Sequence, residues 1–480
     1  MNSINKKLKN GVFWSLTGEF GFKIISLLAN IIFARILIPE EFGIMAIAYF
    51  FISISRVLTE SGLSGALIRK KEATEVDHST IFIFNLGVSL FLYLILFFSS
   101  KAIENFYDII NLSSYLRVLG LVLIINGFRI IQQVKLVKNL EYKTITKIKV
   151  TSILISSIVA IYLAYAGYGI WALIAMQVIN SLLVVIFYWG SQGGLKTYKF
   201  SLESFKGLYS FGLFTTLSSI LNTAFDNAYQ LVLGKYFNLS ETGFYYQAKK
   251  LTEVPVSIIS STSSGVVFAT LSQVQDNKKE FDKVYSNLNR IFTVFVGLVC
   301  LLIFCYSREF LYIIYGDKWL SADFYMKILA ISNFFYIQEL FNRNIFKVFN
   351  KTHKIFILEL IKKAIILVSL VLGVYLESIE VLMYGFMITY IISYYINYYM
   401  SRTVYKSTST FLEMSYTLKT LGVSVFVGIL LFLSNKIITI DFLYNLYFIP
   451  IVISVYVFSL NILRVIDLKK DFAFLFNLRK

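Results

Sequence analysis

The chain is poor in the residues that build metal centres and disulfide-bonded scaffolds. Its 480 residues include only two cysteines, two histidines and three prolines. Cys300 and Cys305 share one apolar run, with no other thiol to pair with and no metal-ligand spacing, which indicates core packing. His78 and His353 lie far apart in predicted loops and also lack the spacing of a metal site. No P-loop is present, so the chain does not itself hydrolyse ATP.

Charged residues are also scarce, and the two signs are unequal. They make up 15% of the chain, against 57% apolar residues, with a mean hydropathy of +0.70. Such a chain is too hydrophobic for a soluble protein with a polar surface, so we predict an integral membrane protein. Lysine and arginine exceed aspartate and glutamate by 45 to 28, a net charge of +17. The distribution of these charges decides what they mean.

Apolar runs long enough to cross a hydrocarbon core of ~30 Å as a helix predict an all-α protein with about fourteen transmembrane spans. The basic start of the chain is typical of a signal peptide, but Glu19 interrupts the apolar run and no small-residue cleavage site follows. We therefore predict an uncleaved first helix. The predicted spans are 12–34, 42–66, 80–100, 114–134, 150–166, 169–189, 208–233, 243–268, 291–307, 322–346, 357–376, 381–400, 420–434 and 443–463.

Most basic residues fall in every second connecting segment, which the positive-inside rule places in the cytoplasm. The segments on the other side hold only Arg35, Lys101, Lys235, Arg308, Lys318 and Lys436. This alternation predicts a multi-pass protein of the cytoplasmic (inner or plasma) membrane with both termini in the cytoplasm. It also accounts for most of the net charge, so the sequence does not support nucleic-acid binding.

The chain resembles itself. "ARILIPEEFGIM" at 34–45 aligns with "GKYFNLSETGFY" at 234–245, pairing Glu41 with Glu241 and Gly43 with Gly243. This match predicts two six-helix lobes, a parallel pseudo-repeat about the membrane normal, followed by two further helices. The predicted parts are an N-terminal lobe at 1–190, a cytoplasmic linker at 191–207, a C-terminal lobe at 208–400, and the last two helices with a basic cytoplasmic tail at 401–480.

Polar residues recur at helical spacing on equivalent spans of the two halves. The first span carries Ser15, Glu19, Lys23, Ser26 and Asn30; the second Ser53, Arg56, Glu60 and Ser64; the seventh Thr215, Ser219, Asn222, Asp226 and Gln230; the eighth Tyr246, Lys250, Glu253, Ser257, Ser260 and Ser264. A charge at the centre of a membrane helix costs about 2.5–3.5 kcal/mol. Four such stripes are therefore expected to face one water-filled cavity between the lobes.

Two plainer interpretations remain open for these stripes. Glu19 and Lys23 are spaced to neutralise each other on one helix, and the serines at 257–265 suit close helix packing. Within the predicted spans, however, basic residues outnumber acidic ones, which favours an anionic ligand. The candidate binding residues are Lys23, Arg56, Lys249, Lys250 and Arg343, and the candidate cavity acids are Glu19, Glu60, Glu253 and Glu339.

Asp226 is the candidate site for a coupling ion. It is the only carboxylate of the seventh span, with Asn222 one turn before it and Gln230 one turn after it. A lone acid with such neighbours can hold Na⁺ through oxygen ligands, or take up H⁺ when desolvation raises its pKa. Alternatively, Asp226 pairs with Lys249 or Lys250. No other cofactor and no metal is expected.

Several stretches resemble the bacterial polysaccharide-export flippases, the Wzx type, of the MOP superfamily of multidrug, oligosaccharidyl-lipid and polysaccharide exporters. The longest, at 34–87, contains a Pro-Glu-x-Phe-Gly turn and a Gly-x-Ser-x-Ala-Leu-Ile-x run; "GYGIWALIAMQ" and "YGDKWLSA" also fit. The resemblance implies a fourteen-helix, two-lobed transporter. It would move an undecaprenyl-pyrophosphate-linked oligosaccharide to the outer leaflet, for O-antigen, capsule or exopolysaccharide, by ion-coupled alternating access.

The same resemblance implies roles for particular residues and partners. Related lipid II flippases carry basic cavity residues on the first, second and eighth spans for the pyrophosphate, where Lys23, Arg56 and Lys250 occur here. They hold a cation-site acid in the seventh span, which Asp226 matches, but their arginine-rich motif in the first span is absent. The implied partners are the lipid-linked oligosaccharide, membrane lipids, and a polymerase and glycosyltransferases of the same pathway.

Two other functions compete. A drug or metabolite antiporter of the same superfamily would favour a more apolar or acidic cavity for organic cations. A membrane polysaccharide polymerase or glycosyltransferase would need a sizeable outer loop, whereas the predicted outer loops at 166–169 and 377–380 are short. The sequence therefore favours a transporter over an enzyme.

Overall fold

The computed structural model describes residues 2–60, 63–70, 72–406, 410–437 and 442–467. Every regular element in these ranges is helical. Apolar chains of this kind form helices because a helix satisfies its backbone hydrogen bonds internally, and lipid offers no partners. The prediction of an all-α membrane protein is confirmed.

The chain divides by internal contacts into unit 1, Met1–Gly243, and unit 2, Phe244–Lys480. The helices of unit 1 are α1 Asn2–Ile36, α2 Pro39–Glu60, α3 Leu63–Arg69, α4 Glu75–Tyr107, α5 Leu112–Lys138, α6 Tyr142–Tyr165, α7 Ile170–Gln192, α8 Leu202–Asp226 and α9 Ala228–Tyr236. The lobe boundaries predicted from the sequence remain a prediction.

Unit 2 begins within α10, and one of its helices contains a π-helical turn. Its elements are α10 Leu239–Thr262, the π-helical turn Ser263–Val267, α11 Phe268–Gln273, α12 Lys278–Cys305, α13 Ser307–Tyr315, a 3₁₀ turn Asp317–Ala322, α14 Asp323–Val348, α15 His353–Tyr375, α16 Ile379–Val404, α17 Thr410–Ile437, a 3₁₀ turn Phe442–Phe448 and α18 Ile449–Ile462. Cys300 is buried in its core, as expected, among Val296, Phe334 and Tyr394.

Where the structure describes the chain, each predicted span overlaps one or more helical elements. Within the described part of the chain, eleven helical segments are long and apolar enough to cross a membrane. The predicted spans 208–233, 322–346 and 357–376 correspond to α8 with α9, to α14 and to α15, which are helical but not among the eleven because they carry more polar or charged residues. The count of fourteen spans therefore remains a prediction.

The histidines do not lie in loops, contrary to the sequence-based prediction. Thr74 caps α4, and Thr74 and Asp77 form a reciprocal capping box, so the helix begins at Glu75. His78 therefore lies in the first helical turn and is buried. His353 is exposed at the first position of α15.

Helix α1 packs closely along α6 through small residues. A Cβ at Gly18 would lie 2.3 Å from Thr146 Oγ1, and one at Gly21 would lie 3.4 Å from Val150 Cγ2. The Thr146 hydroxyl donates a 2.6 Å hydrogen bond to the carbonyl oxygen of Trp14. These contacts fix which side chains of α6 lie beside the polar face of α1.

The repeat-equivalent glycines Gly43 and Gly243 meet within unit 1. A Cβ at Gly43 would lie 2.1 Å from the carbonyl oxygen of Leu239, and one at Gly243 would lie 2.0 Å from that of Pro39. Beside them the Ser240 hydroxyl donates to the carboxylate of Glu40. The first turns of α2 and α10 therefore touch backbone to backbone, which only glycine permits.

We predict that Gly43→Ala destabilises the protein. The added methyl group overlaps a backbone carbonyl that cannot rotate away, and overpacking of this kind costs about 1–3 kcal/mol. Thermal unfolding in detergent measures the change. The control is Gly87→Ala in α4, where a Cβ meets nothing within 4 Å; equal midpoints for the two variants would contradict the tight contact.

Candidate functional site

On the polar face of α1, Glu19 and Lys23 form an exposed ion pair. Lys23 Nζ lies 3.2 Å from Glu19 Oε1, and the side chains are 45% and 63% exposed. The i, i+4 pairing considered from the sequence is therefore formed. Because both groups are well exposed in unit 1, the pair leaves the ammonium group accessible to a ligand.

This pair belongs to a basic cluster in unit 1. Lys149 of α6 lies within electrostatic range of Arg129 on α5, Arg56 on α2 and Glu19 on α1. With Lys23, the cluster holds four bases and one acid among the described side chains. Its net charge is positive, and its arginines and lysines offer forked and point-charge donors for an anion.

Arg129 and Lys149 are not among the residues that the sequence predicted for this site. Lys149 was assigned to a cytoplasmic loop because the apolar run begins only at residue 150, whereas α6 begins at Tyr142. A helix that extends beyond its apolar segment is visible in sequence only through its polar first turns. The contact between α1 and α6 that brings Lys149 to the pair leaves no local sequence signal.

The acidic residues of unit 1 lie in different settings. The side chain of Glu60 lies outside the described residues. Asp226 is exposed at the last position of α8, and Asn222 is exposed one turn earlier. Gln230 is instead buried in α9, where its amide donates to the carbonyl oxygen of Ala46. Of the two predicted neighbours of Asp226, Asn222 is therefore exposed and Gln230 is buried.

In unit 2, α10 carries a second polar face. Lys249 Nζ lies 3.8 Å from Glu253 Oε1, whose side chain is 60% exposed. The Lys250 ammonium lies 5.6 Å from the centre of the Tyr246 ring. These residues therefore lie on neighbouring turns of one helix, as their spacing predicted.

The remaining predicted residues of unit 2, Glu339 and Arg343, belong to a buried charge network. Arg343 of α14 contacts the carboxylates of Glu339 and Glu359, and Lys362 Nζ of α15 lies 3.1 Å from Glu339 Oε2. The Lys362 ammonium also lies 4.1 Å from the centre of the Tyr390 ring. Two acids and two bases balance, which offsets the large cost of burying each charge alone.

This network differs from the basic cluster in both charge and access. The Glu339 side chain is 2% exposed and that of Lys362 is 8% exposed. Arg343 faces two carboxylates, so its guanidinium is already neutralised. Arg343 and Glu339 therefore form ion pairs with residues of α15. Their contact with a ligand remains a prediction. The convergence of all predicted residues on one cavity also remains a prediction.

We predict that Lys362→Met strongly destabilises the protein, by about 3–5 kcal/mol, because it removes one partner of a buried pair. The double variant Lys362→Met, Glu339→Gln should regain part of this loss, since no carboxylate is then left with a missing partner. Thermal unfolding in detergent measures both.

The matched control for this prediction is Lys196→Met. Lys196 Nζ is 3.9 Å from Glu75 Oε1, and its side chain is 81% exposed. Exposed pairs contribute little to stability, so its unfolding midpoint should scarcely change. If Lys362→Met and Lys196→Met had the same thermal unfolding midpoint, the network would not hold α14 to α15.

Comparison with solved structures identifies the fold. The fold is similar to that of lipid II flippase MurJ in an inward closed conformation, with a TM-score of 0.76, 16% identity, and coverage of 94% of this chain and 98% of that chain. It is also similar to an inward-facing MATE multidrug resistance transporter of the MOP superfamily, with a TM-score of 0.56, 14% identity, and coverage of 80% and 96%. The chain has the fold of this transporter superfamily.

The sequence itself matches a narrower group. Residues 32–324, more than half of the chain, match the model of the polysaccharide biosynthesis protein family. The chain belongs to the polysaccharide biosynthesis protein family, as the resemblance in its sequence indicated. The match ends within α14, so α15 to α18 lie outside it.

Curated relatives agree with this family. The succinoglycan biosynthesis transport protein ExoT of Rhizobium meliloti is 25% identical over 331 residues, which are 68% of this chain and 66% of the relative. The teichuronic acid biosynthesis protein TuaB of Bacillus subtilis is 25% identical over 341 residues, 69% of each. The lipopolysaccharide biosynthesis protein WzxC of Escherichia coli is 23% identical over 342 residues, 68% and 67%. The matches thus span about two thirds of each relative.

Proposed function

We propose that this chain is a flippase that moves lipid-linked oligosaccharide units across the cytoplasmic membrane for surface polysaccharide biosynthesis. The observation that carries the proposal is the basic cluster of unit 1 in a chain of the polysaccharide biosynthesis family. A relative is named for succinoglycan transport, and a fold neighbour is a lipid II flippase. The chain is a transporter and not an enzyme.

The proposed ligand group is the pyrophosphate that joins undecaprenol to the oligosaccharide. In unit 1, Lys23 and Arg56 bind it together with Arg129 and Lys149, because phosphate oxygens accept forked hydrogen bonds from arginine and pair with lysine. Within unit 2, Lys249 and Lys250 of α10 are further candidates for contact with a pyrophosphate. Arg343 is the weakest of the candidates, since two carboxylates already face it.

A drug antiporter is the competing function for this fold. A site for organic cations needs acidic or apolar walls, because like charges in a membrane cavity repel. The basic cluster disfavours that function: its four bases face a single described acid. The proposed location is the cytoplasmic membrane with both termini in the cytoplasm, and the proposed partners are the polymerase and glycosyltransferases that use the same lipid-linked sugars.

We predict that the variant Lys23→Ala, Arg56→Ala, Lys250→Ala loses surface polysaccharide export while its membrane level is maintained. Lys149→Ala alone should lower export about tenfold, the equivalent of one charge-assisted hydrogen bond. The measurement is surface glycan in cells that depend on this protein. The control, Lys101→Ala, removes an exposed lysine that pairs with Glu104 outside the cluster; normal export from the triple variant would contradict the proposal.

Transport is proposed to be coupled to Na⁺ or H⁺ through Asp226, with Asn222 as its neutral oxygen neighbour. Both side chains are exposed and one turn apart at the end of α8, where an ion from an aqueous cavity can reach them. A carboxylate with a neutral amide nearby can hold Na⁺ through oxygen ligands or exchange H⁺.

We predict that Asp226→Asn abolishes the response of transport to an imposed ion gradient. The measurement is substrate movement in vesicles with a Na⁺ gradient, an H⁺ gradient or neither. Asn222→Asp serves as the matched variant, since it keeps a carboxylate on the same face. If Asp226→Asn responds to both gradients as the wild type does, Asp226 is not the coupling site.

A further inference from the structure

A second basic site lies at the beginning of α1, separate from the basic cluster. A cavity of about 660 Å³ opens between the third and fourth turns of α1 and the loop that joins α5 to α6. Its walls include Asn10 and Trp14 of α1, Lys138 at the end of α5, and Glu141 and Lys143 at the start of α6. A volume of this size is typical of a small-molecule binding site.

Specific contacts hold the walls of this cavity in place. A Cβ at Gly11 would lie 3.1 Å from the Tyr142 ring, so the start of α1 lies directly against α6. The hydrogen bond from Thr146 to the Trp14 carbonyl joins the same two helices. Leu140 adopts a left-handed conformation with φ of 61°, which turns the short loop sharply between α5 and α6.

The polar groups of the cavity favour an anion beside an aromatic ring. The Lys143 ammonium lies 5.5 Å from the centre of the Trp14 ring. Lys138 Nζ donates to the carbonyl oxygen of Lys70 at 2.7 Å, and an ammonium has two further N–H groups to offer. Glu141 is the one acid among the lining residues, and its carboxylate accepts a 3.4 Å hydrogen bond from Asn139 Nδ2.

The position of the cavity favours a lipid as the source of that anion. The cavity lies at the beginning of a membrane helix, and Phe13, beside Trp14, is 62% exposed. Tryptophan typically lies at the level of lipid headgroups.

We propose that this cavity binds the phosphate headgroup of an anionic glycerophospholipid. Lys138 and Lys143 contact the phosphate, Trp14 lies where the headgroup meets the acyl chains, and Phe13 contacts an acyl chain. The site is distinct from the pyrophosphate site proposed above, and it does not depend on the transported substrate. Basic pockets at the ends of membrane helices recognise acidic lipid headgroups by the same combination of charge and interfacial aromatic rings.

The test uses the full chain reconstituted in phosphatidylcholine nanodiscs that contain a minor fraction of lipid with brominated acyl chains. Bromine quenches tryptophan fluorescence at contact, and subtracting the signal of Trp14→Phe isolates Trp14 from the other tryptophans. We expect brominated phosphatidylglycerol to quench Trp14 at about tenfold lower mole fraction than brominated phosphatidylcholine does. Equal quenching by the two lipids would overturn the proposal.

Charge variants test which side chains create this preference. In the double variant Lys138→Ala, Lys143→Ala, brominated phosphatidylglycerol should quench Trp14 no more strongly than brominated phosphatidylcholine does. Lys147→Ala should retain the preference, because Lys147 is an exposed lysine of α6 that does not line the cavity. A preference unchanged in the double variant would assign the effect to the general charge of the surface and overturn the site.

Two further measurements keep the result decisive. Inorganic phosphate added together with brominated phosphatidylglycerol should leave the quenching of Trp14 unchanged; loss of the quenching would assign the cavity to a soluble phosphate and overturn the proposal. If the double variant does not fold, the milder Lys143→Gln and native mass spectrometry replace it. The wild type should then retain more phosphatidylglycerol than Lys143→Gln, and equal retention would contradict the proposal.

Discussion

The structure depends on one constraint: a charge in the hydrocarbon core of a membrane is tolerated only beside a partner or water. Unit 2 meets it by neutralisation, since Glu339 and Glu359 balance Arg343 and Lys362 in a buried network. Unit 1 meets it by exposure, since Lys23 and Glu19 remain accessible next to Arg56 and Lys149. The first arrangement joins α14 to α15, and the second is the one that we propose for ligand binding.

The helices were largely predictable because apolar length and helical spacing are properties of the sequence alone. Each predicted span coincides with helix, and the pair Gly43 and Gly243, identified by internal similarity, meet at a backbone contact. Helix ends were less predictable. α1 begins at Asn2 instead of 12 and α6 at Tyr142 instead of 150, because the apolar window detects only the membrane core of a helix and misses its polar first turns.

The candidate site was predictable only along single helices. The i, i+4 spacing of Glu19 and Lys23 predicted their ion pair, whereas Lys149 joins the cluster through the packing of α1 on α6, which no local spacing encodes. Arg343 was grouped with the ligand-binding residues by its charge, yet its partners on α15 were invisible to that reasoning. Likewise, His78 lies in a helix and not in a loop because a capping box starts α4 three residues before it.

The central claim is that this chain moves a lipid-linked oligosaccharide across a bilayer. Its most direct test reconstitutes the purified protein in liposomes that hold undecaprenyl-pyrophosphate-linked oligosaccharide and follows the glycan that becomes accessible to a membrane-impermeant lectin. We expect the rate of appearance to rise with the protein-to-lipid ratio, above that of protein-free liposomes. A rate equal to that of protein-free liposomes, with folded protein and imposed Na⁺ and H⁺ gradients, would contradict it.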